Sequence, residues 1–208
     1  MTIDIGTGDG RAVLATAAAQ PTTLVIGLDA NAASMAEASR RAAGPARKGG
    51  LENALFVLAA AEAPPEELRA LAERVTILFP WGSLLRGCLG ADASVAEGIA
   101  ELLAPDGVIE LLLAPAERDG LDGLPTDPAA VIAAATRAFE AIGLRLVEAR
   151  SATDGEIRAS GSTWARRLLS NPATRRQVVA MRFAAEGVTM TGRSAMAGGR
   201  RSMDASRS

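Results

Sequence analysis

Thr2-Ile3-Asp4-Ile5-Gly6-Thr7-Gly8-Asp9-Gly10-Arg11-Ala12-Val13-Leu14 is the stretch that decides the fold. An apolar run enters three alternating glycines, and an alanine-rich segment leaves them as a helix predicted to reach Gln20. A glycine-rich turn between strand and helix lets the backbone approach a ligand, while free N–H groups at the helix start hold its polar part. The dinucleotide fingerprint Gly-x-Gly-x-x-Gly would put its third glycine at position 11, which is Arg11; here that glycine comes one residue early, as Gly10. A glycine-rich hairpin is the competing explanation, disfavoured by the apolar segments on both sides. About twenty residues further on, Thr23-Leu24-Val25-Ile26-Gly27-Leu28-Asp29 reads as a strand ending in a carboxylate, where a ribose diol would be hydrogen-bonded. That device supports a nucleoside ligand without choosing among nucleosides.

The pattern continues outward as alternating strands and helices. A helix is predicted over 32–43, stopped by Gly44-Pro45, then a strand over 55–59. Pro64-Pro65-Glu66-Glu67 opens the next helix, and a strand over 75–79 follows. Next come a helix over 92–103, a Pro105-Asp106-Gly107 turn, a strand over 108–113 and a helix over 128–141. Two final strands, 144–149 and 177–184, are separated by a long linker in which no helix is predicted. Such an order implies an α/β fold, a doubly wound, mostly parallel sheet with helices on both faces and an antiparallel last strand. Ligands in such folds sit outside the carboxyl ends of the strands at the switch point. One domain over 1–186 is expected, followed by a basic tail over 187–208 that shows no apolar period and reads as disordered.

Composition narrows the chemistry. The 208 residues are 49% hydrophobic, enough for one substantial core, and carry a formal net charge of −2. There is no histidine, no tyrosine and a single cysteine, Cys88, which removes most metal sites, Ser/His and Cys/His nucleophilic systems and any disulfide framework. Cys88 is expected to be a small buried hydrophobe. No apolar run reaches the length of a membrane span and the start of the chain carries no leader pattern, so a cytoplasmic protein is expected. Basic residues cluster in two linkers, Arg40, Arg41, Arg47 and Lys48 in one, Arg166, Arg167, Arg175 and Arg176 in the other, where they could meet phosphates. Only two tryptophans occur, Trp81 and Trp164, each predicted in a loop at the reactive end of the sheet.

Asp-x-Gly-x-Gly-x-Gly resembles the first motif of class I methyltransferases that use S-adenosylmethionine (SAM), a family with a Rossmann-like, seven-stranded sheet. Four strings sharpen the resemblance: Asp-Ile-Gly-Thr-Gly-Asp-Gly, Ala-Arg-Lys-Gly-Gly-Leu-Glu-Asn at 46–53, Phe-Pro-Trp-Gly-Ser-Leu-Leu-Arg-Gly at 79–87 and Ser-Thr-Trp-Ala-Arg-Arg-Leu at 162–168. Together they are similar to the 16S rRNA adenine-N1 methyltransferases that confer resistance to kanamycin- and apramycin-type aminoglycosides. The resemblance implies that Trp81 and Trp164 stack a flipped decoding-site adenine, with Ser162 and Arg166 beside them at the reacting site. It implies that Asp4, Gly6, Thr7, Gly8, Gly10, Asp29, Ala30, Ala61, Glu62 and Phe79 hold SAM. It further implies that Arg40, Arg47, Lys48, Arg86, Arg166 and Arg167 meet rRNA on the 30S subunit, that the protein is a monomer, and that no metal is used. Relatives carry a hairpin's worth of residues ahead of the glycine loop, so a first strand confined to Thr2–Ile5 is expected to weaken the sheet. Two further functions remain open from sequence: a small-molecule SAM methyltransferase whose tryptophans clamp a flat metabolite, and a homologue that binds SAM or rRNA without turnover.

Overall fold

The computed structural model describes residues 1–116, 123–170 and 176–185. Arg175 and the predicted tail over 187–208 lie outside them.

Seven strands form one sheet: β1 (Thr2–Ile5), β2 (Val25–Asp29), β3 (Ala54–Leu58), β4 (Ala72–Leu78), β5 (Leu103–Leu113), β6 (Leu144–Ser151) and β7 (Val179–Ala185). Their spatial order is β3-β2-β1-β4-β5-β7-β6. All neighbours are parallel except β7, which runs antiparallel to both β5 and β6. The order reverses between β1 and β4, so the crevice of a doubly wound sheet falls above those two strands. The short β1 is paired along its whole length on both sides, Thr2 to Ile5 against Val25 to Leu28 and against Arg74 to Ile77.

The helices are α1 (Arg11–Ala19), α2 (Ala32–Ala42), α3 (Gly82–Cys88), α4 (Ala93–Glu101), α5 (Pro128–Glu140), α6 (Asp154–Ala159) and α7 (Thr163–Ser170). Several starts are written in the sequence: the side chains of Asn31, Asp92 and Asp127 cap α2, α4 and α5, and Pro128 occupies the first turn of α5. Ile3, Ile5, Val75, Ile77, Ile109, Leu111, Met181 and Phe183 point to one face and pack against α3, α4 and α5 in the main core. Phe139 of α5 meets Phe183 of β7 with ring centroids 4.8 Å apart. Cys88 is fully buried within this core and burial pushes its thiol up to about 12, which leaves it chemically inert.

The second face is divided. A small cluster packs α1 and α2 on β2 and β3, and another packs α6 and α7 over the ends of β4, β5 and β7. Between them the strands present Thr2, Asp4, Arg74, Thr76, Glu110 and Arg182, and Glu110 pairs with Arg74 at 3.7 Å and Arg182 at 4.0 Å. Period-2 alternation in the sequence does not by itself say which face of a strand is covered.

Three sequence expectations are corrected. Pro64-Pro65-Glu66-Glu67 opens a single 3₁₀ turn, Glu66–Leu68, because the chain joins β4 at Ala72 and leaves no room for a helix. The linker between β6 and β7 holds α6 and α7. Thr153 and Glu156 form a capping box at the start of α6, and Arg150 reaches both Glu148 and Glu156. Trp164 therefore stands on a helix, as the second residue of α7, rather than in a loop, whereas Trp81 does lie in the loop after β4, as the residue that precedes α3.

Asn53 belongs to the family-like string at 46–53, and its place is structural. Its Nδ2 donates towards the carbonyls of Ala17, Gln20 and Thr23 at 3.0, 3.0 and 2.9 Å, tying the end of α1 to the approaches of β2 and β3. Asn53→Ala leaves those carbonyls without their partner and is expected to destabilise the protein by about 1–3 kcal/mol, read as a lower denaturant midpoint at unchanged slope.

Candidate functional site

A cavity of about 560 Å³ opens at the carboxyl edge of the sheet, around the glycine loop and the ends of β2, β3 and β4. Its size suits a small-molecule ligand. Gly8 has φ 57, and a Cβ built there would meet nothing within 4 Å, so the backbone bend rather than crowding calls for glycine. Gly10 differs. A Cβ there would come within 2.6 Å of both Ala38 and the Phe56 ring, so Gly10 lets α1 start against α2 and β3 and does not line the cavity. Asp29 fixes the loop from the neighbouring strand: its Oδ2 accepts from Gly8 N–H at 2.8 Å and its Oδ1 from Asn31 N–H at 2.8 Å. Each oxygen keeps a further lone pair for a ligand hydroxyl.

Asp4 sits below this loop, 4% exposed. Burial raises its pKa from 3.8 to about 6, and the charge of Asp29 adds to the rise. The Thr76 hydroxyl, donating to Oδ1 at 2.7 Å, and the nearby Thr7 hydroxyl oppose it. Thr7 Oγ1 makes no hydrogen bond of good geometry and is itself buried, so a polar atom at the cavity wall waits for a partner.

The far wall is built from two tryptophans. Phe79 adopts φ 53, an uncommon conformation for a bulky residue, and turns the chain sharply at the end of β4. Its side chain is buried with Ile157, Ala165 and Leu168, so it lines the cavity while supporting α7. Two residues on, the Trp81 indole is 76% exposed at the cavity mouth; Trp164, 39% exposed, lines the same cavity. Ser162 Oγ accepts from Trp164 N–H at 3.2 Å and so closes the start of α7. The guanidinium carbons of Arg167 and Arg176 lie 5.9 and 5.5 Å from the Trp164 ring centroid, within cation–π range.

The residues expected to hold SAM thus converge, Gly10 excepted: Asp4, Gly6, Thr7, Gly8, Asp29, Ala30, Ala61, Glu62 and Phe79 all line the cavity. So do Trp81, Ser162 and Trp164. Arg166 instead faces an adjoining groove between α1 and α2 that also contains Arg11, Arg41 and Glu37. Arg86 is exposed on α3. Arg40 lies in the last turn of α2, with Nε donating to Ala36 O, and Arg47 and Lys48 sit in the 3₁₀ turn beyond it. None of the three lines the cavity. Sequence reasoning missed Asp9 and Thr163, which also line the cavity and hydrogen-bond each other at 2.5 Å. No sequence signal joins positions 154 residues apart.

Asp4 yields a pH prediction. Its carboxyl holds a proton more tightly in the folded protein than in the unfolded chain, so ionisation costs stability as pH rises from about 4 through 6, reaching about 3 kcal/mol at neutral pH. In ligand-free protein, Asp4→Asn should therefore flatten the decline in melting temperature between pH 4 and 7. Thermal melts across that range check this, and a wild-type curve that rises with pH while the variant stays flat would contradict it.

Comparison with known proteins places this geometry. The family model described as NpmA, 16S rRNA (adenine(1408)-N(1))-methyltransferase, matches residues 1–184. A 16S rRNA (adenine(1408)-N(1))-methyltransferase of Streptoalloteichus hindustanus is 35% identical over 175 residues, covering 81% of this chain and 80% of that protein. Among solved structures, a Catenulisporales acidiphilia enzyme of the same name, with cosubstrate SAM, superposes with TM-score 0.78 at 32% identity over 88% of this chain and 84% of that one. The 16S rRNA methyltransferase KamB gives 0.78 at 30% identity over 88% and 86%. The chain belongs to the 16S rRNA (adenine(1408)-N(1))-methyltransferase family, whose members are SAM-dependent enzymes.

Proposed function

We infer that the protein methylates N1 of the decoding-site adenine of 16S rRNA in the 30S subunit and thereby confers aminoglycoside resistance. The observation that carries the inference is the shared cavity: a nucleoside-type loop and two partly exposed indoles line one space. The resident residues fit SAM. The Asp29 carboxylate suits a ribose diol, Asp4 and the unpartnered Thr7 hydroxyl suit a charged amino-acid end, and Ala61 with Glu62 stands where an adenine edge would be read. When bound, SAM supplies a methyl group already activated by its sulfonium.

What remains for the chain is placement. Adenine N1 brings its own lone pair, so no protein nucleophile or general base is needed, in keeping with a chain without histidine. Trp81 and Trp164 offer π faces to a base taken out of its stack, at about 1–3 kcal/mol per stacked base. N1-methylation leaves the ring cationic, which favours indole faces further. Ser162 stands beside Trp164 with its hydroxyl hydrogen available to the base. Arg166 and Arg167 share α7 with Trp164 and Arg86 is exposed on α3, and in this account they meet the flanking phosphates, while Arg40, Arg47 and Lys48 extend a contact line down α2. In this account the protein works as a monomer in the cytoplasm, where ribosomal subunits are, and residues 1–186 form the functional domain. Among the described residues no helix is long and apolar enough to cross a membrane.

The test incubates purified protein with tritiated SAM and isolated 30S subunits and maps modified bases by reverse-transcription stops. A stop at the decoding-site adenine is expected. Trp164→Ala should lower transfer by about a hundredfold or more while SAM affinity stays within about threefold. Methylation of small metabolites with no 30S product would replace this function by the small-molecule one; SAM binding without any product would point to a non-catalytic homologue.

A further inference from the structure

Asp9 stands between Gly8 and Gly10 at the tip of the cofactor loop. Its Oδ1 accepts from Arg11 N–H at 3.3 Å, which anchors the carboxylate to the start of α1. Its Oδ2 accepts from the Thr163 hydroxyl at 2.5 Å, across 154 residues of sequence. Thr163 is the first residue of α7, and Trp164 is the next. The cap of α7 is not its task, because Ser162 Oγ already takes the Trp164 N–H. The Thr163 hydroxyl instead donates to Asp9 and accepts from Arg166 Nη2 at 3.3 Å, forming a short polarised chain from guanidinium to carboxylate. Deeper in the helix, Ala165 and Leu168 hold α7 on the apolar cluster beneath it.

We propose that the Asp9–Thr163 hydrogen bond is a latch that couples occupancy of the cofactor cavity to the placement of Trp164, making Thr163 a positioning residue for the target base. A ligand in the cavity touches the Gly6–Gly10 loop, and restricting that loop restricts Asp9. Through one charge-assisted hydrogen bond the restriction passes to the first turn of α7, where the indole begins. The coupling works in both directions, so a base held on Trp164 also favours the loop conformation that binds the cofactor. The proposal rests on Trp164 holding the target base, as argued above.

Two arms of one experiment test it. In full-length Trp81→Phe, Trp164 is the sole tryptophan, and its emission is followed while S-adenosylhomocysteine is added. The spectrum should shift on saturation. In Trp81→Phe/Thr163→Val most of that shift should vanish, with affinity by calorimetry within about threefold, and Thr163→Ser in the same background should restore it. In the second arm, with both tryptophans present, Thr163→Val should lower kcat/KM on 30S subunits about tenfold, as expected for one lost hydrogen bond, and Thr163→Ser should recover it. The losses in Asp9→Ala/Thr163→Val should total less than the sum of the two single losses, because the Asp9–Thr163 contact is removed by either substitution. An unchanged fluorescence response in the valine variant, additive losses in the double variant, or a collapse of S-adenosylhomocysteine binding in Thr163→Val would each overturn the latch. If wild-type protein gave no product on 30S subunits, the rRNA function would fail, while the fluorescence arm would still decide the latch.

Discussion

The cofactor side of the reactive edge depends on the two hydrogen bonds accepted by Asp29. One oxygen holds Gly8 N–H and the other holds Asn31 N–H, both at 2.8 Å, so one carboxylate joins the glycine loop to the end of β2 and the start of α2. Hydrogen bonds to a charged acceptor contribute about 1.5–3 kcal/mol each, enough to hold a loop that positive φ angles would otherwise leave loose. The loop in turn carries Asp9 towards α7 and leaves Thr7 facing the cavity. Loss of this carboxylate would therefore unfix the cofactor loop and the approach to α2.

Below it, Asp4 shows how a binding site opposes stability. Its ionisation in a buried position is unfavourable, and only Thr76 and the nearby Thr7 offset part of the cost. A carboxylate kept in such a place is poised for a cationic partner. A ligand with a positively charged end would remove the penalty on binding, so the energy withheld from folding reappears as affinity. The same economy explains the poverty of reactive side chains: a methyl donor activated by its own sulfonium and an acceptor with a free lone pair leave the protein only placement to perform.

The divided second face of the sheet has a functional counterpart. At the carboxyl end of β4, β5 and β7 the apolar cover is the α6–α7 pair, held by Ile157, Ala165 and Leu168 and steadied by Arg150 on Glu156. Hydrogen bonds from Arg150 and from Thr153 keep the Glu156 carboxyl down at about 2, so this support stays charged through the physiological range. Trp164 is thus mounted on a helix with its own apolar foot, while Trp81 follows a left-handed Phe79 that bends the chain out of the sheet. Two indoles reach one cavity by unrelated local devices.

Local chemistry made much of this legible from the amino-acid order. Alternating glycines after an apolar run, Asp29 at a strand end and capping residues such as Asn31 and Asp127 determine strand, turn and helix over short ranges, and the sequence strings at 79–87 and 162–168 pointed to the family. Thr153 and Glu156 also spell out the start of α6 at capping-box spacing. Tertiary structure alone decided which contacts form between distant segments: Asp9 with Thr163, Asn53 with the end of α1, and Gly10 with Phe56. It also decided that, among the described residues, Thr76 and Glu110 of β4 and β5 line a polar space between the two apolar clusters, and that Arg166 joins the groove while Arg47 and Lys48 sit in the turn beyond α2. The physical reason is range: caps, turns and periodicity act within a few residues, whereas burial and cross-chain hydrogen bonds depend on how the whole sheet is wound.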